Sequence, residues 1–227
     1  YTGFLPAGAI NGVFPPTNRL GTSRSDSGVA SNLAVGASFK LRPDSPLTMG
    51  LGIFGLVGGG VNFAGSDSTP TLAPRQPPNY FGLGPIYANT AMLAIKPMAS
   101  YRVNDRLAVS FAPVITSGTV QFSPAFFAPG PADQYGVATF PTATNSRPFW
   151  GAGFELGLFY EVNDSWNVGF SYKSPVWLEK WSYNSFNADL SPRRIGIQSQ
   201  LPAIYSWGVA YKGIEKLLVD VDLRYFD

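Results

Sequence analysis

The charged side chains are the residues in this sequence that could do chemistry, and their spacing favours ion pairing over catalysis. Asp220 and Asp222 alternate with apolar residues and follow Lys212 closely in the sequence, a pattern typical of a structural ion-pair network. The sequence has no His and no Cys, which excludes, within this chain, a Ser-His-Asp triad, a His general base, a thiolate nucleophile and Cys-bound zinc. We therefore expect no enzyme activity, no cofactor and no metal.

The remaining basic side chains have two interpretations. They could donate hydrogen bonds to the carboxylate of a ligand, or they could neutralise acidic side chains in a structural network. The chain has 16 basic and 14 acidic residues, and Arg193-Arg194 is the only adjacent basic pair. Such a scattered distribution does not form the basic patch that nucleic-acid binding needs, so we expect no nucleic-acid partner.

Aromatic and apolar residues are concentrated in three long segments between regular elements, at 62–91, 119–148 and 177–203. Apolar loop surface bordered by polar residues indicates a docking site for a hydrophobic molecule. The alternative is that these rings pack together and hold the loops in place. The candidate ligand-binding residues are Phe122, Phe126, Phe127, Trp177, Leu178, Trp181 and Phe186.

The elements that position these loops are long β-strands. Apolar residues alternate with small or polar ones in eight segments, a period typical of strands. Gly and Pro together make up 45 of 227 residues, which disfavours long helices. Most segments have about 9–14 residues, the length of tilted membrane strands rather than of ordinary globular strands. The segments are 28–41, 47–61, 92–102, 107–118, 149–161, 166–176, 204–212 and 216–226.

The connections between the segments alternate between short turns and long loops. Only 13% of residues are charged, and a charged side chain that faces lipid at mid-depth costs about 2–4 kcal/mol. The large apolar residues are therefore expected to face lipid and the charged residues to face inward. This arrangement predicts an all-β fold, a transmembrane antiparallel up-and-down β-barrel.

Four phrases resemble the FadL-type family of outer-membrane transporters for long-chain fatty acids and other hydrophobic compounds. They are the Gly-rich run from Leu47 to Phe63, then PMASYRVNDRLAVSFAP at 97–113, WGAGFELGLFYEVNDSWNVGFSYKSPVW at 150–177 and LPAIYSWGVAYKGIEKLLVDVDLRYFD at 201–227. The resemblance implies a fourteen-stranded barrel with an N-terminal hatch. Residues 1–227 then form a single, partial barrel domain of about eight strands, and the hatch and the C-terminal strands are expected outside it.

The resemblance also implies a mechanism. Loops 119–148 and 177–203 would capture the ligand, a fatty acid or a hydrocarbon, and the ligand would leave sideways into membrane lipid. Gly58, Gly59 and Gly60 are the expected lateral exit, because a strand pairs weakly where glycines replace side chains. Basic residues for a ligand carboxylate are assigned only by location, to Lys173, Arg193 and Arg194. The implied location is the outer membrane of a Gram-negative-type bacterium.

Two alternatives remain open from the sequence. One is a soluble or surface β domain that binds glycans or protein partners through its aromatic loops. The other is a complete eight-stranded barrel with a structural role. A sandwich would expose polar residues on one face of each sheet and pack the apolar residues into one core.

Overall fold

A computed structural model of the chain shows a nearly all-β protein. The structure describes residues 2–3, 21–30, 32–73, 82–128, 140–144, 147–187 and 191–227, except the side chains of Thr2, Pro70 and Phe186. The strands in these ranges are β1 (Thr2–Gly3), β2 (Gly21–Thr22), β3 (Ala34–Lys40), β4 (Leu47–Phe63), β5 (Ile86–Arg102), β6 (Leu107–Ser123), β7 (Phe149–Glu161), β8 (Trp166–Lys173), β9 (Val176–Leu178), β10 (Trp181–Phe186), β11 (Pro192–Ile197), β12 (Gln200–Leu201), β13 (Ile204–Ile214) and β14 (Leu217–Phe226). One 3-10 helix spans Pro70–Leu72.

The eight long strands form one antiparallel meander in the order β3-β4-β5-β6-β7-β8-β13-β14. The short strand β9 follows β8 in the sequence and, like β8, pairs with β7. The two-residue strand β12, which precedes β13 in the sequence, pairs with β9. At the break between β8 and β9, the Phe154 amide donates a 2.8 Å hydrogen bond to Ser174 Oγ. The result is a single curled half-barrel, so the predicted up-and-down barrel architecture is confirmed.

The two alternative architectures do not match this topology. The long strands form one continuous sheet rather than two facing sheets. Edge strands β3 and β14 each pair on one side only among the described residues, so they do not close an eight-stranded barrel with each other.

Several predicted boundaries were wrong. Segment 28–41 forms a strand only from Ala34 to Lys40. Conversely, β5 begins at Ile86 rather than at 92, and β6 ends at Ser123 rather than at 118. The reason is that the β5–β6 ladder continues through polar pairs such as Asn89 with Gln121, which interrupt the apolar period but not the backbone hydrogen bonds.

The register gives the sheet two chemically different faces. One row across six neighbouring strands is entirely apolar: Tyr101, Val109, Leu158, Phe170, Trp207 and Leu223. All six side chains are exposed. The adjacent row, on the opposite face, is small or polar: Ser100, Ser110, Gly157, Ser171, Ser206 and Arg224. We call these the apolar face and the polar face.

Prolines in two neighbouring strands interrupt the ladder without changing its register. Pro97 of β5 and Pro113 of β6 lie opposite each other, and pairing is continuous again at Ala99 with Phe111. Because proline has no amide hydrogen, the β5–β6 pairing is missing from 96–98 and 112–114 and resumes in the same register. The strand assignment there is therefore correct.

Asparagine side chains stabilise two of the short turns. Asn104 Oδ1 accepts hydrogen bonds from the amides of Arg106 and Leu107, each at 2.9 Å. Asn163 Oδ1 does the same for Ser165 and Trp166. Such local bonds are the reason that Asn favours turns. In the described part of the chain, no helix is long and apolar enough to cross a membrane.

Candidate functional site

The predicted loop 177–203 contains a β-hairpin. Strands β10 and β11 pair over six residues, with Tyr183 opposite Ile195 and Ser185 opposite Arg193. Tyr183, Ser185 and Ile195 are buried, because alternation places them on the same side of the hairpin. The segment that the sequence predicted as a loop is therefore largely a regular hairpin with one buried face.

That buried face packs on the end of β6 and on the chain that follows it. Tyr183 donates a 2.9 Å hydrogen bond to the Val120 carbonyl oxygen. We define the loop cluster as Ala125, Ala143, Tyr183 and Ile195 together with the partly buried Phe122, Ala128, Trp181 and Ile197. Alanines at 125 and 143 leave room for the tyrosine ring, so the two predicted capturing segments contact each other.

Two phenylalanines, Phe126 and Phe127, extend from Phe122 of the loop cluster towards solvent. The Phe127 ring lies edge-on to Phe122, with 5.3 Å between centroids, and to Phe126, with 5.7 Å. Phe126 is 61% exposed and Phe127 is 36% exposed. Phe122 itself lies at the end of β6 rather than in a loop. The arrangement presents apolar ring surface at the long-loop end of the sheet.

The other predicted aromatic and apolar site residues divide between two environments. Trp181 packs against Phe149 at 5.4 Å between ring centroids, and Leu178 is buried in an adjacent cluster with Val120 and Phe149. Trp177 is opposite Ala152 on the apolar face and is 54% exposed, so it points away from the loop cluster. The side chain of Phe186 lies outside the described residues.

The structure separates the three basic residues assigned by location. Lys173 Nζ lies 3.5 Å from Glu155 Oε1. Arg193 is on the buried side of the hairpin, where its Nη2 donates to the Ala128 carbonyl oxygen at 3.3 Å. Arg194 is the next residue of the strand and is exposed on the opposite side. They form no common carboxylate site.

Glu155 is the centre of an ion-pair network on the polar face. Its Oε1 lies 2.5 Å from Lys96 Nζ, so one carboxylate serves two lysines. The Lys96 side chain is 11% exposed, and its ammonium also lies 5.5 Å from the centroid of the Phe54 ring. For Lys96 and Lys173 this agrees with the structural interpretation of the basic residues. The network predicted for Asp220, Asp222 and Lys212 is not seen, since none of the three forms an ion pair within the described residues.

The sheet has a gap beside the glycine-rich end of β4. Pairing between β3 and β4 ends at Ala34 with Phe54, and Gly55 then donates to the Leu33 carbonyl oxygen. The preceding chain rejoins β4 only at Asn62, which accepts a hydrogen bond from the Asp26 amide. Within the described residues, 56–61 have no hydrogen-bonded neighbour on this side, a stretch of roughly 20 Å.

Gly58, Gly59 and Gly60 line this gap, but their surroundings differ. A Cβ atom added at Gly59 would meet nothing within 4 Å, and one at Gly58 would meet the side chain of Asn32. A Cβ at Gly60 would lie 2.4 Å from the Ala88 carbonyl oxygen, so a side chain there would disturb the β4–β5 ladder. A cavity of about 350 Å³ separates the glycines from residues 26–30.

Two residues of the site were missed from the sequence. Tyr183 is fully buried at the contact between the loops, and Asn32 covers part of the gap, against Gly55 and Gly58. The alternation of Trp181, Tyr183 and Ser185 was a visible signal for the hairpin. Asn32 gave no signal, because its role depends on where β3 stops pairing.

Comparison with known proteins supports the fold. The Ralstonia pickettii toluene transporter TbuX is 17% identical with a TM-score of 0.62, and the chain aligns over 84% of its own length and 54% of that protein. The Pseudomonas putida toluene transporter TodX is 15% identical with a TM-score of 0.60, over 84% and 54%. A Pseudomonas aeruginosa FadL homologue is 14% identical with a TM-score of 0.55, over 84% and 47%. No family model matches the chain, and no curated protein sequence matches it.

These similarities define the class of fold. The chain has the β-barrel fold of the FadL-type transporters, which confirms at the level of fold the resemblance drawn from the sequence. It spans about half the length of the solved transporters that it matches.

Proposed function

We propose that the chain is part of an outer-membrane channel for the passive transport of hydrophobic small molecules. The observation that carries this proposal is the pair of exposed rings, Phe126 and Phe127, on a loop cluster at one end of a half-barrel. Apolar surface at the mouth of a barrel concentrates apolar solutes. The apolar face of the sheet suits lipid contact, and the matched solved structures include toluene transporters.

A neutral hydrocarbon is the first candidate ligand. Lys173 is paired with Glu155, and Arg194 lies on the side of the hairpin away from the loop cluster. A carboxylate at the exposed rings would therefore lack both of these cations. A fatty acid is the second candidate, because the buried Arg193 Nε has no hydrogen-bond partner in the described part of the chain.

Lateral release is the second part of the proposal. The gap interrupts the hydrogen bonding of the sheet between β4 and the chain that precedes β3. It lies beside the glycines of β4, which have no side chains to fill it. An apolar ligand that left through this gap would enter lipid without crossing the polar face of the sheet. The route thus suits a ligand that partitions into the membrane.

Transport in proteoliposomes tests the proposal. The full-length protein is reconstituted, and the uptake of toluene, a long-chain fatty acid and a sugar is compared. Uptake of toluene but not of the sugar is expected. Passage of the sugar would contradict the proposal, because it would mean an open polar pore. Uptake of the fatty acid as well would favour the second ligand candidate.

Replacing Phe126 and Phe127 together with Ser should weaken ligand capture by about tenfold, because two half-exposed rings contribute apolar contact area to the ligand. Equilibrium binding of toluene to the detergent-solubilised protein measures the effect. Trp177→Ser is the matched control, since Trp177 is similarly exposed but lies on the apolar face. Equal losses in both variants would refute the assignment of capture to the loop cluster.

Gly58→Leu should slow ligand release into lipid by about tenfold, equivalent to about 1.4 kcal/mol in the barrier, while capture is retained. The leucine would displace the flexible Asn32 side chain and fill part of the gap. Stopped-flow transfer of ligand to acceptor vesicles measures release. Gly36→Leu is the control, because its Cβ has room on a strand with a continuous ladder. Unchanged release in Gly58→Leu would rule out this exit.

A further inference from the structure

The hairpin has a second, polar side that the transport proposal does not use. A cavity of about 880 Å³ lies between this side and the start of β7. Three cationic side chains line it, from the chain just before β7, from the residue before β10 and from β11: Arg147, Lys180 and Arg194. Ser182 and Asn184 of β10 add a hydroxyl and an amide.

The cavity has an excess of positive charge. Glu179 is the one carboxylate among its described lining residues, and its Oε2 already accepts a 3.0 Å hydrogen bond from the Trp150 amide. Within the described residues, none of the three cations forms an ion pair. Three like charges around one cavity repel one another, so an anion bound between them would be stabilised.

The cavity also borders the apolar face. Trp150 lines it, is 53% exposed and lies on the same face as Trp177. Tryptophan is enriched at the boundary between hydrocarbon and headgroups in membrane proteins. An anion at the level of the cavity would therefore lie at headgroup depth and could be attached to acyl chains that contact the apolar face.

We propose that this cavity binds the phosphorylated headgroup of a glycolipid in the outer leaflet. The inference rests on the proposed outer-membrane location. Arginine guanidinium groups match phosphate oxygens in a two-pronged geometry, and basic pockets at membrane interfaces bind phosphorylated lipid headgroups. The serine hydroxyl and the asparagine amide supply further donors.

Binding of lipid A to the full-length protein tests the proposal. Native mass spectrometry in detergent compares lipid A with the same glycolipid after removal of its phosphates. The variant Arg147→Gln/Lys180→Gln/Arg194→Gln should bind lipid A at least about tenfold more weakly. The matched control removes three cations from the short-turn end: Arg42→Gln, Arg106→Gln and Lys216→Gln. We expect its lipid A affinity to equal that of the unchanged protein.

Each of the following results would overturn the proposal: equal binding of the phosphate-free glycolipid, equal losses in both triple variants, or inorganic phosphate competing at the same concentration as lipid A. The last result would identify a site for free anions rather than for a lipid. Toluene binding is measured on the same samples. Retained toluene binding with no lipid A binding would refute this inference alone, whereas the reverse would refute the transport proposal alone.

Discussion

Replacing Tyr183 with Ala is expected to detach the β10–β11 hairpin from the end of β6 and to abolish ligand capture. The ring is fully buried against Ala125, Ala143 and Ile195, and removing a buried aromatic ring typically costs about 3–5 kcal/mol. The loss of stability would be confined to the hairpin, because β10 and β11 form their own two-stranded sheet, separate from the large sheet of long strands. Amide hydrogen exchange should accelerate at 181–197 and remain slow in β7 and β13.

Tyr183→Phe separates the ring from its hydroxyl. This variant keeps the packing but removes the donor to the Val120 carbonyl oxygen, so the expected cost is about 1 kcal/mol and capture should persist. If exchange in the long strands accelerated as much as in the hairpin, Tyr183 would stabilise the whole half-barrel and not the hairpin alone.

The same hydroxyl makes the contact sensitive to high pH. Burial raises the pKa of Tyr183 from 10.0 to about 12. A pKa raised on folding means that the neutral phenol is favoured in the folded state. Its contribution is complete below pH 10 and is lost as the pH rises through about 12. Ultraviolet titration of the unchanged protein should show tyrosine ionisation near pH 12, and Tyr183→Phe should lose that component.

The sheet was predictable because its faces have a period of two. Tyr101, Leu158 and Trp207 come from three separate segments, yet the register places them in one row across the sheet, as the alternation required. A slip of one residue would have turned apolar side chains to the polar face. The pattern therefore determined which face each residue of a long strand occupies.

The loop contacts were less predictable, because they depend on residues that carry little signal. Ala125 and Ala143 create the space for Tyr183, and alanine is common in any environment. The separation of Arg193 from Arg194 was predictable in principle, since adjacent residues of a strand point to opposite sides. It was missed because the segment was interpreted as a loop.

The gap in the sheet beside β4 was only partly predictable. The three glycines indicated a weak ladder, but the extent of the gap depends on where β3 stops pairing and on the return contact between Asp26 and Asn62. Both are contacts between distant segments. A bulge at Leu56, where the β4–β5 register shifts by one residue, also requires knowledge of the partner strand.

Replacing Glu155 with Leu is expected to destabilise the half-barrel by about 3 kcal/mol, the lower end of the range for breaking a buried pair. The change leaves Lys96, with an 11% exposed side chain, without its carboxylate. The lower end applies because Glu155 itself retains 24% exposure, which gives water access to the site. The urea midpoint of the full-length protein in lipid vesicles should fall, with an unchanged slope.

A second variant distinguishes a lost ion pair from lost packing. Lys96→Met/Glu155→Leu removes both buried charges and should recover most of the stability, because well-packed apolar replacements of buried pairs are often neutral. Lys173→Met is the control for the weaker partner: its side chain is 43% exposed, so its expected cost is below about 1 kcal/mol. If the double variant were as unstable as Glu155→Leu, the carboxylate would act through contacts other than Lys96. Recovery in the double variant would instead show that Glu155 stabilises the half-barrel by neutralising the buried Lys96.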